Sequence, residues 1–312
     1  MTTLGLRRER LRHEELRALI AAYLVEAPLA GRIATVRDLG ARFGASIGAV
    51  QQSLAWLEAA GAVTVDSRRG QGTVLSSRSL GGLWSAARNE PLVIALPLPI
   101  SRQIQGLATG IKAALAAAEI ETYLTFSRGS RRRLQALQDG RCHAVVMSAL
   151  GAAEACGPRD AIVFQFPAGT HASGHMVFER PRRMEGPSDR LRVALDRDSV
   201  DLQRMTELEF AGQPVEYVPG NYMQFGDLFQ AGRVDAAIWD VDEAPPDLPS
   251  DVIHRPFSAA AQAVLADANT RSTVVARRDD TLAAAIFHQC LGDQRVLPVQ
   301  QAVVAGKRLP EY

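Results

Sequence analysis

The sequence predicts an α/β chain in two parts: a small helical module closed by a β-hairpin, then two similar α/β lobes in tandem. Three observations carry that prediction. Residues 1–78 hold helical patterns broken by a tight turn and followed by a hairpin pattern. From Leu92 onward, strand and helix patterns alternate. Residues 137–148, LQDGRCHAVVMS, recur as residues 229–240, FQAGRVDAAIWD, with Gln, Gly, Arg and Ala in register.

Composition limits the alternatives. A chain of 312 residues exceeds one compact core. With 47% hydrophobic and 22% charged residues it is globular rather than disordered. Lys+Arg 35 against Asp+Glu 34 excludes a uniformly basic coat and an acidic tail. The charge is uneven: residues 1–80 carry a net +4 and the remainder a net −3, which points the basic part toward nucleic acid. Three cysteines without CxxC or CxxH spacing exclude a disulfide scaffold and a zinc knuckle. No run of 18 apolar residues predicts a membrane span, and Met1 to Glu15 lacks the apolar stretch of a secretory leader. A cytoplasmic protein without cofactor or metal is expected.

In the first module, Leu11, Leu16, Leu19, Ile20 and Tyr23 share one helical face, and Pro28 ends it. Thr35 caps a second helix carrying Val36, Leu39 and Phe43, which stops at Gly44. After a one-residue turn, Ser46 caps a third, whose Ile47, Val50, Leu54 and Leu57 form a single buried stripe. Its opposite face carries Gly48, Gln51, Gln52 and Ser53. Small residues let the backbone approach phosphates, and a Gln amide both donates to and accepts from adenine in the major groove. Val63–Val65 and Thr73–Leu75 form a hairpin around Arg68, Arg69, Gly70, Gln71 and Gly72. Cations there neutralise phosphates or enter the minor groove. The DNA-facing set is Thr35, Ser46, Gly48, Gln51, Gln52, Arg68, Arg69, Gln71 and Thr73.

Residues 34–75 resemble the winged helix of GntR-type transcriptional regulators, and RRGQGT resembles that family's wing. The resemblance implies a homodimer on a palindromic double-stranded operator and an effector-sensing domain behind the DNA-binding one. The domains expected are a winged helix-turn-helix over 1–78, a linker over 79–91 with one helical turn around Trp84, and an effector domain over 92–312.

In the effector part, strands are expected at Leu92–Leu96, Tyr123–Phe126, Ala144–Ser148, Ile162–Phe166 and Met176–Glu179. The series restarts at Arg192–Leu195, Val215–Val218 and Ala236–Trp239, with helices between. With Met176–Glu179 and Thr273–Arg277 as crossing strands, this resembles a type 2 periplasmic-binding-protein fold. The expected lobes are about 92–178 with 276–312, and about 179–275. The stretches ALPLPISRQIQGLATGIKAAL, GRVDAAIWD and QQAVVAGKRLPEY further resemble the YhfZ family of GntR-like regulators.

Ligands of such folds lie beyond the carboxyl ends of the strands, between lobes. The effector residues expected there are Ser101, Arg102, Ser127, Arg128 and Ser148 from one lobe, and Asp196, Ser199, Asn221, Tyr222 and Asp240 from the other. Arginines on one wall and carboxylates on the other suit a small effector with an anionic group and a cationic or hydroxyl-bearing one. His171 and His175 read as loop or cleft histidines rather than metal ligands. Arg131, Arg132 and Arg133 read as a solvated helix start.

The leading expectation is a ligand-responsive regulator with no catalytic residue. One competing expectation is an enzyme, a transferase on the same two-lobed fold using Asp196, Asp240 and His175, although no nucleophile–base pair has recognisable spacing. Another is a DNA scaffold that senses nothing.

Overall fold

The computed structural model describes residues 13–68, 72–181, 189–245 and 247–312, with Ser67 and Arg68 described as backbone. The chain divides into two compact units: Met1–Leu92 with 114–122 and 280–291, and 93–113 with 123–279 and 292–312.

The first unit is built on α1 (His13–Glu26), α2 (Val36–Phe43) and α3 (Ile47–Ala59). Thr35 and Asp38 cap α2 reciprocally, Gly44 closes it in the left-handed conformation, and the Ser46 Oγ accepts the Ala49 N–H to start α3. Leu16, Ile20 and Leu24 of α1 are buried, as are Leu39, Val50 and Leu57. Strands β1 (Val63–Arg68) and β2 (Gly72–Arg78) pair antiparallel, Arg68 opposite Gly72. They run further than their apolar cores suggest.

The stretch expected as a linker is a helix, α4 (Leu80–Arg88), capped by Ser79. Its Trp84 is buried and donates from Nε1 to the Glu90 carbonyl at 2.7 Å. Burying an indole with its N–H satisfied stabilises the helix well beyond its Gly-rich propensity. One segment from the far end of the chain also belongs here: α11 (Thr281–Cys290) packs along α1, and Asp280 pairs with Arg88. The apolar face of α11, including Leu282, Ile286 and Phe287, is buried.

The second unit holds two five-stranded sheets. One has the order β4 (Thr122–Phe126), β3 (Leu92–Leu96), β5 (Ala144–Ser148), β12 (Ser272–Arg277), β6 (Asp160–Gln165). The other, read from its far edge, has β9 (Val215–Pro219), β8 (Leu191–Leu195), β10 (Ala236–Asp240), β7 (His175–Glu179), β11 (Ile253–Arg255). These are the same topology twice: second, first and third strands of a βαβ series, then an antiparallel strand that has just crossed from the other lobe. β5 and β10, which hold the recurring segment, occupy equivalent places. Helices α5 (Arg102–Ala116), α6 (Ser130–Gln138), α7 (Ala149–Ala155) and α12 (Asp293–Val304) accompany the first sheet in sequence, and α8 (Val200–Glu209), α9 (Phe225–Gln230) and α10 (Ala259–Leu265) the second.

The crossings fall earlier than the expected lobe boundaries. β7 already pairs with β10, so residues 175–178 belong to the second lobe, and β12 pairs with β5 and β6, so 272–275 belong to the first. A crossing strand joins the sheet it enters because its backbone N–H and C=O groups must find partners as soon as it is covered.

Candidate functional site

In the first unit, α3 presents one face outward. Gly48, Gln51 and Gln52 are exposed, while Val50 and Leu57 face the core. Two assignments change. Ile47 is 47% exposed rather than the start of the buried stripe. Ser53 is 2% exposed rather than outward, and its hydroxyl donates to the Ala49 carbonyl at 2.9 Å, so it lies on the core side of the helix. Ser46 and Thr35 are exposed with their oxygens engaged in capping. Thr73 is half-buried on β2, where its carbonyl accepts the Ile33 N–H at 2.9 Å. Arg69 and Gln71 lie outside the described residues, as does the side chain of Arg68.

A cation not singled out from the sequence stands beside the hairpin. Arg32 bridges to Val74 through its backbone, and a Cβ on Gly72 would lie 2.8 Å from its Nη2. Its guanidinium therefore lies against Gly72, at the start of β2. The signal was the extended Gly31–Ile33 stretch before the Thr35 cap, which reads as a third strand edge only once β2 is in place.

In the second unit the two lobes meet around a cavity of about 100 Å³. Of the ten expected residues, Arg128, Asp196, Ser199, Tyr222 and Asp240 line it. The other five do not. Ser101 is buried at the start of α5, Ser127 lends its carbonyl to Arg133, and Ser148 caps α7. Arg102 is exposed on α5, and Asn221 caps the 3-10 turn Tyr222–Gln224. Ser101, Ser148 and Asn221 satisfy helix ends, which is the ordinary work of those residue types. The lining adds Arg133, His171, His175, Asp201 and Glu243.

The guanidinium of Arg128 is taken up by the opposite lobe: 3.1 Å to Asp196 and 3.0 Å to Asp198. Asp196 also accepts the N–H groups of Asp198 and Tyr222, both at 2.9 Å. Ser148 donates to Asp201 at 2.6 Å across the lobes, and Ser199 donates to its other oxygen at 2.9 Å. The Tyr222 hydroxyl donates to Glu243 at 2.6 Å.

Arg133, expected in solvent, is 5% exposed. Its Nε donates to the Val146 carbonyl at 3.2 Å and its Nη1 to the Ser127 carbonyl at 2.8 Å. With Ser130, Leu134 and Leu137 it occupies the buried face of α6. That i, i+3, i+4, i+7 spacing was the available signal.

Burial shapes the titration of the lining. It pushes His171 and His175 down to about 4, so both imidazoles are neutral near pH 7. Burial also raises Asp240 to about 8, with Glu243 and Asp242 adding like charge. Glu243 is raised by the same desolvation, and Arg133 is lowered to about 10. Burial works to raise Asp201, yet His171, the Ser148 and Ser199 hydrogen bonds, and His175 leave it below its ordinary value. His171 Nδ1 lies 3.2 Å from the Ser272 Oγ, and His175 Nδ1 lies 3.1 Å from the Asn269 Nδ2. The two imidazoles thus have separate partners, with no shared metal geometry, and among the described residues no cluster of three or more His, Cys, Asp or Glu could hold a metal ion. Among those residues no helix is long and apolar enough to cross a membrane.

A helix-turn-helix module in one unit and a two-lobed α/β domain in the other define a class: a helix-turn-helix protein with an attached two-lobed α/β domain. Within it, the chain belongs to the YhfZ family. The YhfZ C-terminal domain matches residues 81–312, and a helix-turn-helix domain matches residues 30–75. The uncharacterized protein YhfZ of Escherichia coli (strain K12) is 29% identical over 296 residues, covering 94% of this chain and 95% of that one. The crystal structure of YhfZ from Shigella flexneri is 27% identical with a TM-score of 0.62, covering 75% of this chain and 98% of that one. Family and helix-turn-helix domain point to a transcription regulator rather than an enzyme.

Proposed function

We propose that the protein is a GntR-type, ligand-responsive transcription regulator acting in the cytoplasm as a homodimer on a palindromic operator. α3 enters the major groove, with Gly48 allowing close approach, Ser46 near the backbone, and Gln51 and Gln52 reading base edges. Thr35, Arg68, Arg69, Gln71 and Thr73 hold the phosphates and the adjoining groove, and Arg32 joins them. The outward glutamine face of α3 carries this reading.

A small effector bearing an anionic group binds between the lobes of the second unit, against Arg128, Asp196, Ser199, Tyr222 and Asp240. Its differential affinity for two lobe arrangements biases DNA affinity, a coupling of about 1–3 kcal/mol in such systems. The test is operator selection from a random duplex pool with the full chain, followed by titration of metabolites into the complex. Enrichment of a two-fold symmetric site supports the reading; recovery of unrelated sequences contradicts it.

A further inference from the structure

Most charges around the interlobe cavity are already matched. Arg128 has Asp196 and Asp198; Asp201 has two serine hydroxyls; Glu243 has Tyr222. Two lining groups make no salt bridge among the described residues. Arg133 is 5% exposed, spends two of its nitrogens on carbonyls, and makes no salt bridge among the described residues, the Asp201 carboxylate acting on it only from longer range. Asp240 is 7% exposed, takes the Asp242 N–H at 2.9 Å, and among the described residues has no cation within 4 Å. A buried charge without its counter-ion is costly, and a ligand that brings the counter-ion removes that cost.

The surroundings match each pole. Gly129, at the start of the nine-residue helix α6, lines the cavity next to Arg133, and no side chain caps that helix end. One N–H of this end, that of Arg131, already donates to the Asp198 carbonyl at 3.1 Å, and the helix dipole adds to the attraction for an anion. Around Asp240 stand further acids, Asp242 and Glu243, and the Tyr222 ring, all of which favour a cation. Desolvation, lifting Asp240 to about 8, is the cost such a cation would relieve.

We propose that the cavity takes a small zwitterion, its anionic group on Arg133 and the α6 N-terminus, its ammonium group on Asp240. The proposal rests on the receptor reading of the cavity and narrows it. Size narrows it again. A cavity of about 150 Å³ admits benzene, so the space of about 100 Å³ here suits a compact amino acid.

The test uses the full chain and three sets of probes: glycine, β-alanine and taurine; acetate, propionate and ethanesulfonate; methylammonium and ethylammonium. Binding is read by calorimetry and by thermal shift. At least one zwitterion is expected to bind tenfold or more tighter than the matching acid and the matching amine. Asp240→Asn should erase that advantage and leave affinity equal to the acid's. Arg133→Lys should weaken every acid-bearing probe tenfold or more while leaving the amines unchanged. Equal binding of zwitterion and half-molecule, or no binding by any zwitterion, overturns the assignment. Operator binding measured on the same samples separates the two ideas: an intact, sequence-specific DNA complex alongside a failed zwitterion panel sinks the ligand class and leaves the regulator standing.

Discussion

Arg128, on one lobe, holds Asp196, on the other, at 3.1 Å, and the same guanidinium reaches Asp198 at 3.0 Å. The arginine that sequence reasoning offered to an anionic effector is therefore a clasp between lobes. Around it the Ser130 hydroxyl accepts the Val200 N–H at 2.9 Å, and the Arg131 N–H donates to the Asp198 carbonyl at 3.1 Å.

Removing the clasp should loosen the lobes without unfolding them. Arg128→Met leaves Asp196 buried, but still held by two backbone N–H groups. A loss of about 1–3 kcal/mol is expected, below that of a fully buried pair because Arg128 is partly exposed. Urea denaturation measures it, and small-angle scattering should show a larger radius of gyration. A variant with unchanged stability and dimensions would show that the clasp does not hold the cleft shut.

Gly129 supports the same contact by being small. Its φ is +79°, and a Cβ there would lie 2.9 Å from the Asp198 Cβ. Gly129→Ala should cost about 1–3 kcal/mol from backbone strain and crowding together. The loss should be smaller in the Arg128→Met background, because the strained contact is already relaxed; strict additivity would place the two effects apart.

Titration of the cavity predicts two opposing pH windows. Asp240 has its pKa raised to about 8 in the fold against about 3.9 unfolded, so the folded chain binds the extra proton between those values. Stability from this group is complete below about pH 4 and is lost as pH rises toward 8. Asp240→Asn, an isostere of the protonated acid, should therefore gain stability over wild type progressively from pH 4 to 8, by several degrees in Tm at the top of that range. His171 and His175 act in the other direction. Their pKa falls to about 4 from about 6.5, so their contribution is present above pH 6.5 and lost as pH drops to 4. His171→Gln should flatten the acid limb of the curve. Parallel pH curves for variant and wild type would contradict either assignment.

On DNA, Gln51→Ala should relax discrimination at one base position by about 1–3 kcal/mol while leaving the salt dependence unchanged. Arg32→Ala, or Arg68→Ala with Arg69→Ala, should instead weaken binding to all sequences and lower the salt slope by about 1 per arginine. Fluorescence anisotropy over a salt series distinguishes the two patterns.

How much of this was readable beforehand depended on whether a signal was local. The caps at Thr35 and Ser46 and the stripe Val50, Leu57 were legible because they lie within a few turns of sequence. The recurring helix–Gly–strand segment identified β5 and β10 as counterparts, since equivalent strands of two sheets need the same buried small residues. What failed were long-range decisions. No local pattern says that α11 belongs with α1, or that the Gly-rich stretch around Trp84 gains enough from packing to become helix. Ser101 and Ser148 look the same in sequence whether a hydroxyl faces a ligand or a helix end. Arg133 was hidden in a run of three arginines, although its spacing to Leu134 and Leu137 placed it on the buried face.

The most direct test of the regulator reading is anisotropy of the selected operator against scrambled duplex, with the full chain as wild type and as Gln51→Ala with Gln52→Ala. The account predicts tight, sequence-selective binding by wild type, and binding by the variant that survives but no longer distinguishes the two duplexes. Equal affinity of wild type for both duplexes, or a variant as selective as wild type, would contradict it.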